Sequence, residues 1–134
     1  MKSPHVTARD IDELLSFLVE LYSPDFKSID HWDGGTTDVQ GIHTMPWPIY
    51  NPTVEAFFAS ASKECWSDVG YNPESAEQML QDASAVSNAT LAQLKTMLTF
   101  CVRGERFSHG HWSWAIEEGY IRRLLDRLQV IRGL

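Results

Sequence analysis

Three groups of side chains in this sequence are of types that do chemistry. The first is Arg103, Glu105 and Arg106, followed by Glu117 and Glu118. Arginines at a helix C-terminus complement its partial negative charge, and a guanidinium fork binds a carboxylate through two parallel hydrogen bonds. The spacing predicts that Arg106 pairs with Glu117 or Glu118 across two consecutive helix ends. The functional alternative is an arginine that binds an anion such as phosphate or carboxylate. The second group is His109 and His111, with His31, Asp33 and His43 upstream. Imidazoles two residues apart share a metal on a strand, but a helix points them to different sides. There is no spaced Cys/His set and no H-E-x-x-H run, so neither a metal nor a cofactor is expected.

The third group is aromatic. Trp32 and Trp47 fall in a proline-containing loop, and Trp112 and Trp114 in a short helix. Two positions apart on a helix is about 200°, so Trp112 and Trp114 cannot share one core face. Either one lies at an edge, groove or interface, where aromatics concentrate binding energy, or the two pack against different neighbours. Nucleophilic chemistry has little support. Cys101 is central in an apolar helix face, which disfavours a thiolate, and Cys65 has no histidine near it in sequence. A nucleophile elbow, a glycine-rich phosphate loop and a Walker lysine are all missing, so no catalytic residue is assigned.

These residues need a scaffold, and 134 residues with 43% hydrophobic content suit one globular domain. No apolar run approaches the roughly 18 residues of a membrane span, and no apolar segment follows Lys2 as in a signal peptide. The expected compartment is the cytoplasm, with Cys65 and Cys101 as buried thiols. The net charge is −7. Residues 1–89 carry four Lys/Arg against 14 Asp/Glu, and residues 90–134 carry seven against four. A negative chain is a poor binder of phosphate backbones, so direct nucleic-acid binding is not expected. The two halves either neutralise each other on packing or leave an acidic surface for a basic partner.

The periodicity predicts a mainly α fold: a compact bundle of five or six helices with a small extended hairpin or Pro-rich loop at about residues 23–52. Thr7 and Asp10 mark a capping box, and Ile11, Leu14, Leu15, Leu18, Val19 and Tyr22 follow helical spacing, so a helix is predicted from Ala8 to Leu21. Pro46, Pro48 and Pro52 exclude a continuous helix downstream. A small hairpin is predicted, with Thr36 to Val39 against Gln40 to Met45. Asn51-Pro52 and Asn72-Pro73 open the next two helices, which end before Trp66 and near Asp82. Ser87 or Asn88 is the predicted cap of a helix from Ala89 to about Phe107, with Leu91, Leu94, Leu98, Cys101 and Val102 inward. A short helix from Ser108 or His109 to Glu118 follows. Gly119 is placed to end it left-handed, and Tyr120 to Ile131 forms the last helix, with Ile121, Leu124, Leu125, Leu128 and Ile131 inward.

Two segments carry a family resemblance. One is Gly41-Ile42-His43-Thr44-Met45-Pro46-Trp47, with Tyr50 and the Val54 to Phe58 helix. The other is Val102-Arg103-Gly104-Glu105-Arg106-Phe107, with Gly110, Ile116-Glu117-Glu118-Gly119-Tyr120-Ile121 and Leu124-Leu125. In these the chain resembles a family of small bacterial proteins known only as a domain of unknown function. The resemblance implies a fold and no activity.

The function expected from the sequence is non-catalytic binding or regulation through protein–protein contact. Size and acidity are compatible with a phage or mobile-element inhibitor that occupies a basic nucleic-acid-binding surface of a host complex. The residues placed at such a surface are Asp10, Asp12, Glu13, Trp32, Asp33, Trp47, Arg103, Arg106, His109, His111 and Trp112. The alternative is a small ligand-binding protein or enzyme with a His/Arg/Trp pocket. An exposed acidic face favours the first and a lined concavity the second.

Overall fold

The structure, a computed structural model, describes residues 5–133. Its first helix begins as the sequence predicts. The Thr7 hydroxyl accepts from the Asp10 N–H at 3.3 Å, and the Asp10 carboxylate accepts from the Thr7 N–H at 2.8 Å. The exchange satisfies two donors that a helix start leaves without partners. The predicted helix to Leu21 is interrupted, however: α1 spans Ala8–Leu15 and α2 spans Leu18–Leu21. The Ser16 hydroxyl bonds back to the Glu13 carbonyl at 2.6 Å, a contact that bends helices. The bend sets Phe17 edge-on to Phe57, with ring centroids 5.7 Å apart. It also leaves Val19 exposed, against the periodic pattern.

β1 (Ile29–Asp33) pairs antiparallel with β2 (Trp47–Tyr50), with His31 opposite Ile49, Trp32 opposite Pro48 and Asp33 opposite Trp47. The same register resumes past Gly34-Gly35. Thr37 bridges His43, the Thr44 N–H donates to the Thr36 carbonyl at 2.9 Å, and the Asp38 N–H to the Ile42 carbonyl at 3.0 Å. Residues 29–50 are therefore one long hairpin, of which the predicted Thr36–Met45 hairpin is only the outer part. Gly34, at φ 76°, allows its fold: a Cβ there would lie 2.4 Å from the Trp47 ring. The Asp38 carboxylate closes the tip by accepting from the Gln40 and Ile42 N–H groups, both at 2.9 Å.

The remaining chain is helical. Asn51 caps α3 (Pro52–Ala61), which buries Val54, Phe57, Phe58 and Ala61 as predicted, and a 3-10 turn at Glu64–Trp66 buries Cys65 and Trp66. Asn72 caps α4 (Pro73–Gln81). Asp82 ends that helix and caps a further one, α5 (Ala83–Ser87), which the sequence reading did not separate. α6 (Leu91–Arg103) starts from Thr90, not Ser87 or Asn88, because Thr90 and Gln93 form a second capping box. A 3-10 turn at Gly104–Arg106 leads to α7 (His111–Glu117), and Gly119, left-handed at φ 82°, leads to α8 (Tyr120–Arg132).

α6 is the central helix and touches α3, α4, α7 and α8. Around it Leu14, Phe57, Phe58, Trp66, Leu80, Met97, Ile121, Leu124, Leu125 and Leu128 are buried. Each such side chain contributes about 1.5–3 kcal/mol of transfer free energy. Ile131 departs from the predicted stripe and lies at the surface. Both cysteines are free and buried, and burial pushes the Cys101 thiol up to about 12. Among the described residues, no helix is long and apolar enough to cross a membrane.

Candidate functional site at the foot of the hairpin

The end of α6, the start of α7 and the foot of the hairpin meet at Glu105. One carboxylate oxygen accepts from the Tyr50 hydroxyl at 2.6 Å and the Trp112 N–H at 2.9 Å, and the other accepts from the Gly110 N–H at 3.0 Å. Gly110, the residue before α7, has no capping side chain of its own, and Glu105 caps the helix from outside. A carboxylate there meets both the N–H groups that lack helical partners and the positive end of the dipole. The Tyr50 phenol pKa is raised, first by burial and then by the Glu105 hydrogen bond and charge. Sequence reasoning grouped Glu105 with the arginines and missed this role. The available signal was a helix opening at Gly110 with no Ser, Thr, Asp or Asn to cap it.

The two tryptophans of α7 pack against different neighbours. Trp112 stacks on Phe58 at 4.6 Å between centroids and 5° between planes, and its indole N–H donates to the Val102 carbonyl at 2.9 Å. Trp114 lies against His111 and Tyr120. His111 is held edge-on to Phe100 at 5.2 Å, and its buried Nε2 has no hydrogen-bond partner among the described residues. Burial lowers its pKa, which favours the neutral ring. His109 is exposed and reaches the Pro46 carbonyl through Nδ1 at 3.3 Å. Trp32 lies next to Gly110.

Between these groups is an open cleft of about 560 Å³, with Glu77, Phe100, Phe107, His109, His111 and Trp114 on its walls. Aromatic faces beside a carboxylate are complementary to a cation such as an ammonium or guanidinium group. A groove of about 500 Å³ between the 67–70 loop and α6 has no aromatic lining. Next to the cleft stands the hairpin, with Trp32, Val39, Ile42, Met45 and Trp47 all exposed, Val39 completely. Residues 29–50 also carry Asp30, Asp33 and Asp38 and no Lys or Arg.

Of the residues named from sequence, Trp32, Asp33, Trp47, His109, His111 and Trp112 gather at this corner and the hairpin on it. The others lie elsewhere. Asp10 is committed to its capping box, which holds its carboxyl pKa below the usual range through the Thr7 backbone and side-chain hydrogen bonds. Asp12 pairs with Arg132 at 3.0 Å. Glu13, expected to face solvent, is half-buried. It pairs with Lys63 at 2.5 Å and accepts from the Ser60 hydroxyl at 3.1 Å, and these bonds lower its pKa.

The predicted ion pair of Arg106 with Glu117 or Glu118 does not form. α7 carries Glu117 back to the 22–28 segment, where it accepts from the Ser28 hydroxyl at 3.3 Å. Arg103 lies over the Tyr71 ring at 5.5 Å. His31 bonds to Asp30 and His43 to Thr37, each within the hairpin. Among the described residues, no three metal-ligating side chains come together.

Residues 6–133 match the model of a family of unknown function, DUF6508. The chain belongs to that family. No curated protein and no solved structure matches it.

Proposed function

We propose that this protein acts by contact with another protein that presents a basic surface, and that the 29–50 hairpin with the adjoining cleft is the contacting face. The observation that carries this reading is that Trp32, Val39, Ile42, Met45 and Trp47 are all exposed on the hairpin. Five large apolar side chains exposed on one short hairpin are a concentration that marks an interaction site. Charge selects the partner. The hairpin has three aspartates and no cation on a chain of net charge −7, so two copies would repel where a basic protein would be attracted. The cleft, with Glu77 among aromatic walls, offers a seat for a Lys or Arg side chain of that partner.

The acidic face of α1 supports the reading less well, because Arg132 and Lys63 offset the charges of Asp12 and Glu13, whereas Asp33 and Asp38 on the hairpin bond only to backbone N–H groups. A partner of this kind is a nucleic-acid-binding protein, whose basic groove an acidic hairpin would occupy as an inhibitor. The test uses immobilised full-length protein and a lysate split on ion exchangers into basic and acidic fractions. Capture from the basic fraction, weakened by salt and lost in a Val39→Ser/Ile42→Ser/Met45→Ser variant that keeps the wild-type melting temperature, supports it. Equal capture by that variant, or capture confined to the acidic fraction, overturns it.

A further inference from the structure

The arginines of α8 are provided for within the fold. Arg132 pairs with Asp12 and Arg127 donates to the Ala89 carbonyl, while Arg122 and Arg123 lie over tyrosine rings. Arg103 likewise lies over a tyrosine ring, but it shares one concavity with Arg106. Both line one recess of about 150 Å³, closed by Ala61, Ser62, Ser67 and Thr99 on α3, α6 and the segment after the first 3-10 turn. Each guanidinium has five N–H donors. Among the described residues neither arginine makes a hydrogen bond or an ion pair, and the Tyr71 ring under Arg103 takes only a π-face contact.

The carboxylates nearest in sequence are engaged: Glu105 turns to Tyr50 and α7, and Asp68 accepts from the Thr96 hydroxyl. Like charges three positions apart repel, so the recess carries two positive charges and many donors without an acceptor. The Ser62 hydroxyl is spent on the Phe58 carbonyl, whereas that of Ser67 has no partner among the described residues.

We propose that Arg103 and Arg106, with Ser67, form a binding site for a phosphate-type oxyanion. The recess has room for a tetrahedral oxyanion. Two guanidinium forks and a hydroxyl match three oxygens with charge-assisted bonds. The site is separate from the hairpin and rests on different residues.

The test is a titration of the full chain with inorganic phosphate at constant ionic strength, followed by backbone and arginine side-chain NMR. Saturable shifts at Ser67, Arg103 and Arg106, with a midpoint on the order of 1 mM, are expected. Arg106→Met should raise the midpoint at least tenfold, and Arg103→Met, which keeps an apolar stem over Tyr71, should abolish saturation. A parallel titration with glycerol phosphate distinguishes a phosphomonoester from the free anion: comparable binding assigns the ester, and loss of binding assigns free phosphate. Shifts that stay linear, or that match those in chloride, or that persist in the folded double variant, would overturn the site.

Discussion

Replacing Gly104 with alanine separates sequence logic from structure, because the two predict opposite signs. Gly104 lies at the end of α6 with φ −59°, an ordinary helical conformation. Glycine in such a place is less favourable than alanine by about 0.5–1 kcal/mol, so sequence alone expects Gly104→Ala to stabilise. A Cβ there would meet the His111 ring at 2.2 Å from Nε2, 2.3 Å from Cδ2 and 2.5 Å from Cε1. Ordinary carbon contacts are about 3.5–4.0 Å, so the ring would have to move by more than about 1 Å. Phe100, edge-on at 5.2 Å, and Trp114 at 5.0 Å block its movement on two sides.

Overpacking of this kind costs about 1–3 kcal/mol, which leaves a net loss of up to about 2.5 kcal/mol after the propensity gain. Urea unfolding followed by circular dichroism measures it. The same substitution in a His111→Ala background has no ring to strike, and there Gly104→Ala is expected to be neutral or stabilising. A stabilising Gly104→Ala in the wild-type background, or the same change in both backgrounds, would refute the packing argument.

Glu105→Ala removes three acceptor contacts, two of them at the start of α7, and is expected to lower stability by about 2–4 kcal/mol. Loss of structure in differential hydrogen exchange should centre on residues 110–112 and on Tyr50. Glu105→Gln can keep its amide oxygen on the Tyr50 hydroxyl and the Trp112 N–H and turns its NH2 only toward the Gly110 N–H, so it should rescue part of the loss. Alkaline stability is set in part by Tyr22 and Tyr50, both raised above the ordinary phenol value, Tyr22 to about 12, chiefly by burial. Since the folded state holds these protons more tightly, stability is unaffected below about pH 10 and falls as pH rises toward 12. Urea midpoints across that range check the slope, and Tyr50→Phe should flatten it.

Helix positions were legible wherever a cap and an apolar stripe coincided. Thr7 with Asp10, Asn51-Pro52, Asn72-Pro73 and Gly119 each mark a boundary that the structure keeps. The Ser16 bend was hidden because a hydroxyl-to-carbonyl bond within a helix leaves the apolar spacing unchanged. β1 was hidden because Ile29–Asp33 has only two apolar residues and no alternation, and β2 because Pro48 counts against a strand. At the corner, the residue types were visible but their assignments were not. Glu105 acts through N–H groups five and seven residues on and a hydroxyl 55 residues back. No local spacing rule encodes those distances. The arginine pair was expected to close on Glu117 or Glu118 because those acids are near in sequence, but α7 turns them to the far side.

The long hairpin has a practical consequence for how the protein is handled. Lys27 and Lys63 are the cations that bracket it, and no Lys or Arg lies between them. Trypsin therefore has no bond to cut in the most exposed stretch of the molecule, and a tryptic digest would show the domain as more resistant than it is. Chymotrypsin, which cuts after large apolar side chains but not before proline, finds Trp32 there at the surface, while Pro46 and Pro48 protect the bonds after Met45 and Trp47. Nicking at the Trp32–Asp33 bond, with the helical remainder left whole, gives a direct measure of how well the hairpin is shielded once a partner is bound.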